Sequence, residues 1–206
     1  MLREGPLNLF KKRAELSPEI AKRVPPGQTV TDKWPVLHYG PVPRFDQRTW
    51  DLRVFGSVEQ PFRLTWEEFQ KLPMETRTAD MHCVTTWSKL DQVWQGVPMR
   101  VLLERARPKP DTGFVIAHCE HGFTANVPLE AVMTDNALLA TGANGEPLTP
   151  EHGYPLRLVV PQLYAWKSAK WLRGLEFSVV DKPGFWERNG YHNRGDPWLE
   201  ERYWGD

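Results

Sequence analysis

Apolar and polar residues alternate over Trp50–Val58, "WDLRVFGSV", the period of a half-buried strand with a turn at Gly56 and Ser57. The period then lengthens. In "TWEEFQKL" Trp66, Phe69 and Leu72 share one helical face, Thr65 and Glu68 have the spacing of a capping box, and Pro73 stops the helix. A second strand is predicted over "TRTADMHCV", opening into a loop at Cys83, and a second helix over "VPMRVLLERA", with Pro98 in its first turn.

Further along, the β-branched content of "GFVIAHC" and "GFTANVPL" predicts two short strands, and "PLEAVM" a short helix. "NALLATGANGEPL" reads as a strand closed by an Asn144-Gly145 turn, the strongest local hairpin signal in the chain. "YPLRLVVP" and "KWLRGLEFSVV" predict two more strands, joined by the polar and aromatic stretch "QLYAWKSA". The tail from Pro183 has many aromatics and no period, and is expected to wrap the core in extended form.

Residues 1–33 are charged and poorly periodic, except for "SPEIAKRV", where Ser17 can cap a short helix that Pro18 begins. We expect an arm that lies on the domain and is loosely held at its tip, with residues 34–206 forming one folded domain. Short strands interleaved with short helices place the fold in the α+β class, with mixed β-sheets.

Composition narrows the function classes. A chain of 206 residues can bury roughly 70% of its unfolded surface, so it needs no covalent staples. Its 26 basic and 26 acidic side chains are spread along the whole sequence, which leaves no electrostatic footprint for nucleic acid. Ten tryptophans and 19 prolines point to many short elements, rigid turns and large aromatic fillers. With two cysteines, no apolar leader, "KKR" but no twin arginine, and no run long enough to span a membrane, the expectation is a reduced, cytoplasmic protein.

Each cysteine sits beside histidine: His82 with Cys83, and His118, Cys119 and His121 in "HCEH". These are zinc-type donors, but adjacent residues on a strand face opposite ways, so only Cys119 or His118 with His121 could pair locally. Cys83 could instead be a nucleophile if a histidine approached it, or both cysteines could be small buried hydrophobes, the commonest fate of free thiols. Arg157 lies within an apolar strand, and Lys167 and Lys170 flank Ser168 and Ala169 in the loop that follows. Cations around small residues can clamp an anion; an ordinary basic surface loop has the same composition.

Taken in order, "LHYGPVP", "WDLRVFGSV", "LTWEEFQKLP", "DMHCVTTWSKLDQVWQGVPMRVLLE", "NVPLEAV", "EHGYPLRLVVPQLYAWKSAKWLRGLEF" and "PGFWERNGYHNRGDPW" resemble the sulfite-oxidase-type molybdopterin domain, a family that includes bacterial methionine-sulfoxide reductases. The resemblance runs from about residue 35 to about residue 200. It implies one molybdopterin-binding domain carrying molybdenum on a single pyranopterin, with Cys83 as the metal's protein ligand. It also implies that Arg157, Ser168, Ala169 and Lys170 hold the pterin and its phosphate, that His152, His38 and Tyr39 contact the cofactor, and that Cys119 lies on a strand beside it. His82 is a candidate catalytic or metal-tuning neighbour, or else a histidine satisfied on the far side of its strand. Trp186, Tyr191 and His192 either cover the pocket mouth or serve packing, and packing is favoured.

Where sulfite oxidases follow the cysteine with an arginine-bearing segment, this chain has "VTTWSK", with Thr85, Thr86 and Lys89. The activity implied is therefore oxygen-atom transfer on a small sulfur or nitrogen oxide rather than on sulfite. The second β-sandwich or haem domain of sulfite-oxidising relatives would not fit in the length that remains, so a separate electron-transfer partner is expected. Two other readings compete: a zinc protein built on His118, Cys119 and His121, and a non-catalytic binding module on the same fold.

Overall fold

The alternating stretch after Trp50 forms strand β3 (Asp51–Gly56), which buries Leu52 and Val54 and turns Arg53 and Phe55 outward. It belongs to a computed structural model that describes residues 10–12 and 15–205. The tip of the expected arm, residues 1–9, lies outside the described residues. Helix α2 (Trp66–Gln70) follows β4 (Phe62–Thr65), and both halves of the Thr65–Glu68 capping box are made. Strand β12 (Leu172–Ser178) lies parallel to β3 and antiparallel to β7 (Phe114–Cys119), which pairs in turn with β8 (Thr124–Pro128). The order of this five-stranded sheet is β4-β3-β12-β7-β8.

The second sheet is built on β6 (Trp87–Pro98), a 12-residue strand that the sequence pattern did not reveal. Its register is broken by a bulge at Gln95 and Gly96, and its burial does not alternate cleanly, so no period of two shows in the sequence. One edge of β6 takes β5 (Glu75–His82); the other takes β2 (Thr29–Thr31) at its start and β9 (Leu138–Ala143) at its end. Strand β1 (Phe10–Lys12) pairs with β2, so part of the N-terminal arm is built into this sheet. Strands β10 (Glu146–Pro147) and β11 (Arg157–Val159) both pair with β9. The β9–β10 turn has Asn144 at φ 55° and Gly145 at φ 86°, as the Asn-Gly signal predicts.

Successive residues of β9 and β11 serve two different cores, because side chains alternate across a strand. Leu139 and Leu158 join Leu52, Phe69, Val115 and Phe177 in the larger cluster between the sheets. Leu138, Ala140 and Val159 face the other way, onto a smaller cluster with Met81, Cys83, Trp87 and Trp94. Arg157 is two residues from Val159, so β11 carries its side chain to the smaller cluster's face.

The remaining helices are short: α1 (Pro18–Ala21), α3 (Met99–Ala106), α4 (Leu129–Val132) and α5 (Phe185–Arg188). Three local expectations change. Ser17 stands at the N-cap of α1 but its side chain makes no capping bond; Pro98 is the N-cap of α3 rather than part of its first turn; and the tail is not extended throughout, since α5 lies in it. The α+β class with mixed sheets and short helices holds.

Candidate cofactor site

A cavity of about 240 Å³ opens on the face of the smaller cluster. Cys83 stands in its wall, at the end of β5, where the chain leaves the sheet. A tight turn fixes the residue: the Cys83 N–H donates to the Trp87 carbonyl at 2.9 Å, and the Thr86 N–H donates to the Cys83 carbonyl at 3.0 Å. Thr86 adopts φ 68° within that turn, and the Gln28 amide donates to the Cys83 carbonyl at 3.0 Å. The Cys83 sulfur lies 3.1 Å from the Thr85 hydroxyl. Burial pushes the thiol up from its ordinary value, with the Thr85 hydrogen bond opposing.

Opposite, Arg157 is 4% exposed and donates to the His152 carbonyl at 3.0 Å and the Ser168 carbonyl at 2.9 Å. Its Nε–H has no hydrogen-bond acceptor, and burial lowers its pKa to about 10. Lys170 donates to the carbonyls of Leu37 and Glu151, each at 2.7 Å, and burial, reinforced by Arg157, lowers its pKa to about 7. Among the described residues, neither cation is paired with a carboxylate, although both line the cavity. A buried and a half-buried cation without an acid are costly unless an anion joins them. Gly153, at φ 111°, lets the backbone pass between them, since a Cβ there would meet the side chains of Lys170 and Arg157 at 3.1 and 3.2 Å.

His38, Tyr39, His152, Ser168 and Ala169 also line the cavity, so eight of the ten residues that the resemblance singled out meet in one place, Cys83, Arg157 and Lys170 among them. His152 stacks on Trp34, with ring centroids 3.8 Å apart. The Ser168 hydroxyl accepts from the Val160 N–H at 2.9 Å, which shapes the loop behind the two cations.

Two residues are not brought there. Cys119 belongs to the larger core, on the same face of β7 as Val115 and Ala117, and burial drives its thiol far up. His82 points away from the cavity wall, as alternation along β5 requires with Cys83 facing in; its Nδ1 lies 2.8 Å from the Ser88 hydroxyl, and burial lowers its pKa to about 4. Lys167, expected in the anion clamp, is instead buried against Glu187 at 2.6 Å. In the segment after the cysteine, Thr85 faces the cavity, whereas Lys89 is turned outward to the Asp32 carbonyl at 2.9 Å.

The zinc arrangement is not assembled. His118 is 2.9 Å from Glu176 on the face opposite Cys119, and among the described residues no group of three or more His, Cys, Asp or Glu is placed to hold a metal. Sequence reasoning missed the aromatic walls contributed by Trp34, Trp87, Trp166 and Trp171. Trp171 carries a signal only in three dimensions, a left-handed φ of 57° that is unusual for a bulky residue.

A buried thiol thus shares an apolar cavity with two cations that, among the described residues, have no carboxylate partner, an arrangement suited to an anionic ligand. The chain belongs to the oxidoreductase molybdopterin-binding domain family, whose model matches residues 39–186. It is 53% identical over 185 residues to the uncharacterized oxidoreductase YuiH of Bacillus subtilis, covering 89% of this chain and 93% of that one. It is 29% identical to the catalytic subunit of the protein-methionine-sulfoxide reductase MsrP of Campylobacter jejuni, over 69% of this chain and 54% of the relative. The sulfane dehydrogenase SoxCD of Paracoccus pantotrophus has the same fold at a TM-score of 0.64 and 28% identity, covering 78% of this chain and 47% of that one. The chain thus spans nearly all of the Bacillus protein but about half the length of the other two. It is a molybdopterin-dependent oxidoreductase of the sulfite-oxidase type.

Proposed function

We propose that this oxidoreductase transfers an oxygen atom to or from a small, neutral sulfur or nitrogen oxide, with Cys83 as the protein ligand of molybdenum on a single pyranopterin. The observation that carries the reading is the meeting of the Cys83 thiol with the buried Arg157 and the half-buried Lys170, two cations without a carboxylate partner among the described residues, around one cavity. The residues present fit the cofactor: Arg157, Lys170 and the Ser168–Ala169 backbone would hold its anionic end, and the Cys83 sulfur its metal. When bound, the cofactor supplies two-electron redox chemistry coupled to oxygen-atom transfer.

The protein's share is position and electrostatics. The turn from Cys83 to Thr86 aims the sulfur, and the Thr85 hydroxyl 3.1 Å away offers it a hydrogen bond. A bound metal cation offsets the burial that otherwise disfavours a Cys83 thiolate. Trp87, Trp166 and Trp186 line the same cavity as Cys83 and give it apolar walls. The Thr85 hydroxyl stands next to the sulfur, and Arg202, whose charge reaches Cys83 and which donates to the Val84 carbonyl at 3.1 Å, does not line the cavity, which supports an uncharged substrate over sulfite.

Electrons would be exchanged with a separate carrier, a reading supported by likeness to relatives described as catalytic subunits. A cytoplasmic location belongs to the same proposal, supported by two thiols that are both free. Protein purified from cells with cofactor biosynthesis intact is expected to hold about one molybdenum per chain, and to reduce a neutral sulfoxide or N-oxide faster than it oxidises sulfite. Stoichiometric zinc, or faster turnover of sulfite, would contradict it.

A further inference from the structure

Lys167 and Glu187 form an ion pair at 2.6 Å in which neither side chain is more than 1% exposed. Lys167 also donates to the Asn126 carbonyl and side chain, each at 2.9 Å, and to the Asn193 carbonyl at 2.6 Å, while the Trp166 indole donates to Glu187 at 2.8 Å. The pair therefore ties the loop ahead of β12 to the tail. Buried pairs add little net stability, but breaking one is expensive, so they serve to fix one arrangement.

What they fix here is a wall of the cavity. Trp166 precedes Lys167 and Trp186 precedes Glu187, and both indoles line the cavity with Tyr191. Tyr191 stacks on Trp186 at 4.9 Å and meets Trp166 edge-on at 5.0 Å, and Trp166 is backed by Tyr164 at 5.3 Å. Tyr191 and Trp166 also pack against the cluster that contains Cys83. The ring faces carry partial negative charge, which repels anions and attracts flat apolar groups. The cavity's two cations, Arg157 and Lys170, are assigned above to the cofactor's anionic end, which leaves the rings as the wall a substrate would meet.

Resting on the oxygen-atom-transfer reading above, we propose that Trp166, Trp186 and Tyr191 are the specificity-determining wall. The substrate they select is an uncharged sulfoxide or N-oxide bearing an aryl group. Glu187 is a positioning residue that acts through the two indoles.

The test uses the molybdenum-loaded protein and two sulfones that it cannot reduce, methyl phenyl sulfone and dimethyl sulfone, with binding read by calorimetry. The phenyl compound is expected to bind roughly tenfold or more tightly, from its buried ring and stacking. Trp186→Leu and Tyr191→Leu should each narrow that ratio by about fivefold, with dimethyl sulfone binding changed by less than about twofold. Glu187→Gln should narrow the ratio while molybdenum content is kept; if it fails to fold, the Trp186 and Tyr191 variants decide alone. Equal binding of the two sulfones, or a ratio unchanged in the ring variants, would overturn the wall. Failure of the underlying reading is seen separately, as absent molybdenum or no turnover of any oxide.

Discussion

Arg157 donates through Nη2 to the carbonyl of Ser168 at 2.9 Å, joining strand β11 to the loop that also carries Lys170. The bond holds a guanidinium in a place where, among the described residues, no carboxylate pairs with it, so an anionic ligand is the partner that completes the site. Arg157→Lys keeps the charge but loses the fork that bonds two carbonyls at once. Cofactor retention should weaken by about 1.5–3 kcal/mol, the worth of a charge-assisted bond. Molybdenum per chain after extensive dialysis measures this, and unchanged content would count against the assignment.

Lys170 makes a prediction about pH. Its folded pKa, lowered to about 7, lies below the ordinary lysine value of 10.5, so between those limits the unfolded chain binds more protons than the folded one. The cofactor-free protein therefore gains stability from this group as pH rises from about 7 toward 10.5. Lys170→Met should remove that gain, and a bound anion should suppress it by keeping the lysine charged. Urea unfolding of wild type and variant at pH 7 and 9 checks the sign; equal pH slopes would contradict it.

Asp51 behaves in the opposite sense. Burial penalises its charge, but Arg173, Arg53 and Arg63 outweigh the penalty and hold it at about 2. Its folded pKa is depressed, so its contribution, on the order of 2 kcal/mol, is fully present above about pH 4 and lost as pH falls through about 2. Because it joins β3 to β4 and β12, Asp51→Asn should raise the pH of acid unfolding, as followed by circular dichroism. An unchanged acid midpoint would show that the three arginines do not depend on it.

The two thiols separate function from packing. Cys119 lies in the larger core with Val115 and Ala117, so Cys119→Ala should cost no more than about 1.5 kcal/mol and leave the cofactor bound. A urea titration and metal analysis of the same sample check both halves, and loss of metal from this variant would restore Cys119 to the site.

Local signals were legible where a few neighbouring residues decide the outcome. The Thr65–Glu68 box, the Asn144–Gly145 turn and the alternation of β3 each depend on chain-local geometry and appear where their sequence patterns put them. Strand β6 was not legible, because its bulged register and its neighbours on both edges erase the period of two. The gathering of His38, His152, Arg157 and Lys170 around Cys83 came from the family resemblance, since three segments far apart in the chain supply the five residues. The same resemblance put Cys119 beside the cofactor, where the side-chain alternation of β7 turns it into the core. Trp166 and Trp186 could not be told from core aromatics by sequence. What distinguishes them is the buried Lys167–Glu187 pair, whose members are 20 positions apart.

The central claim is that the Cys83 sulfur is bound to the metal. X-ray absorption at the molybdenum edge counts the sulfur neighbours of the metal in wild type, Cys83→Ser and Cys119→Ala. The account predicts one sulfur fewer in Cys83→Ser and no change in Cys119→Ala. An unaltered sulfur count in Cys83→Ser would contradict it.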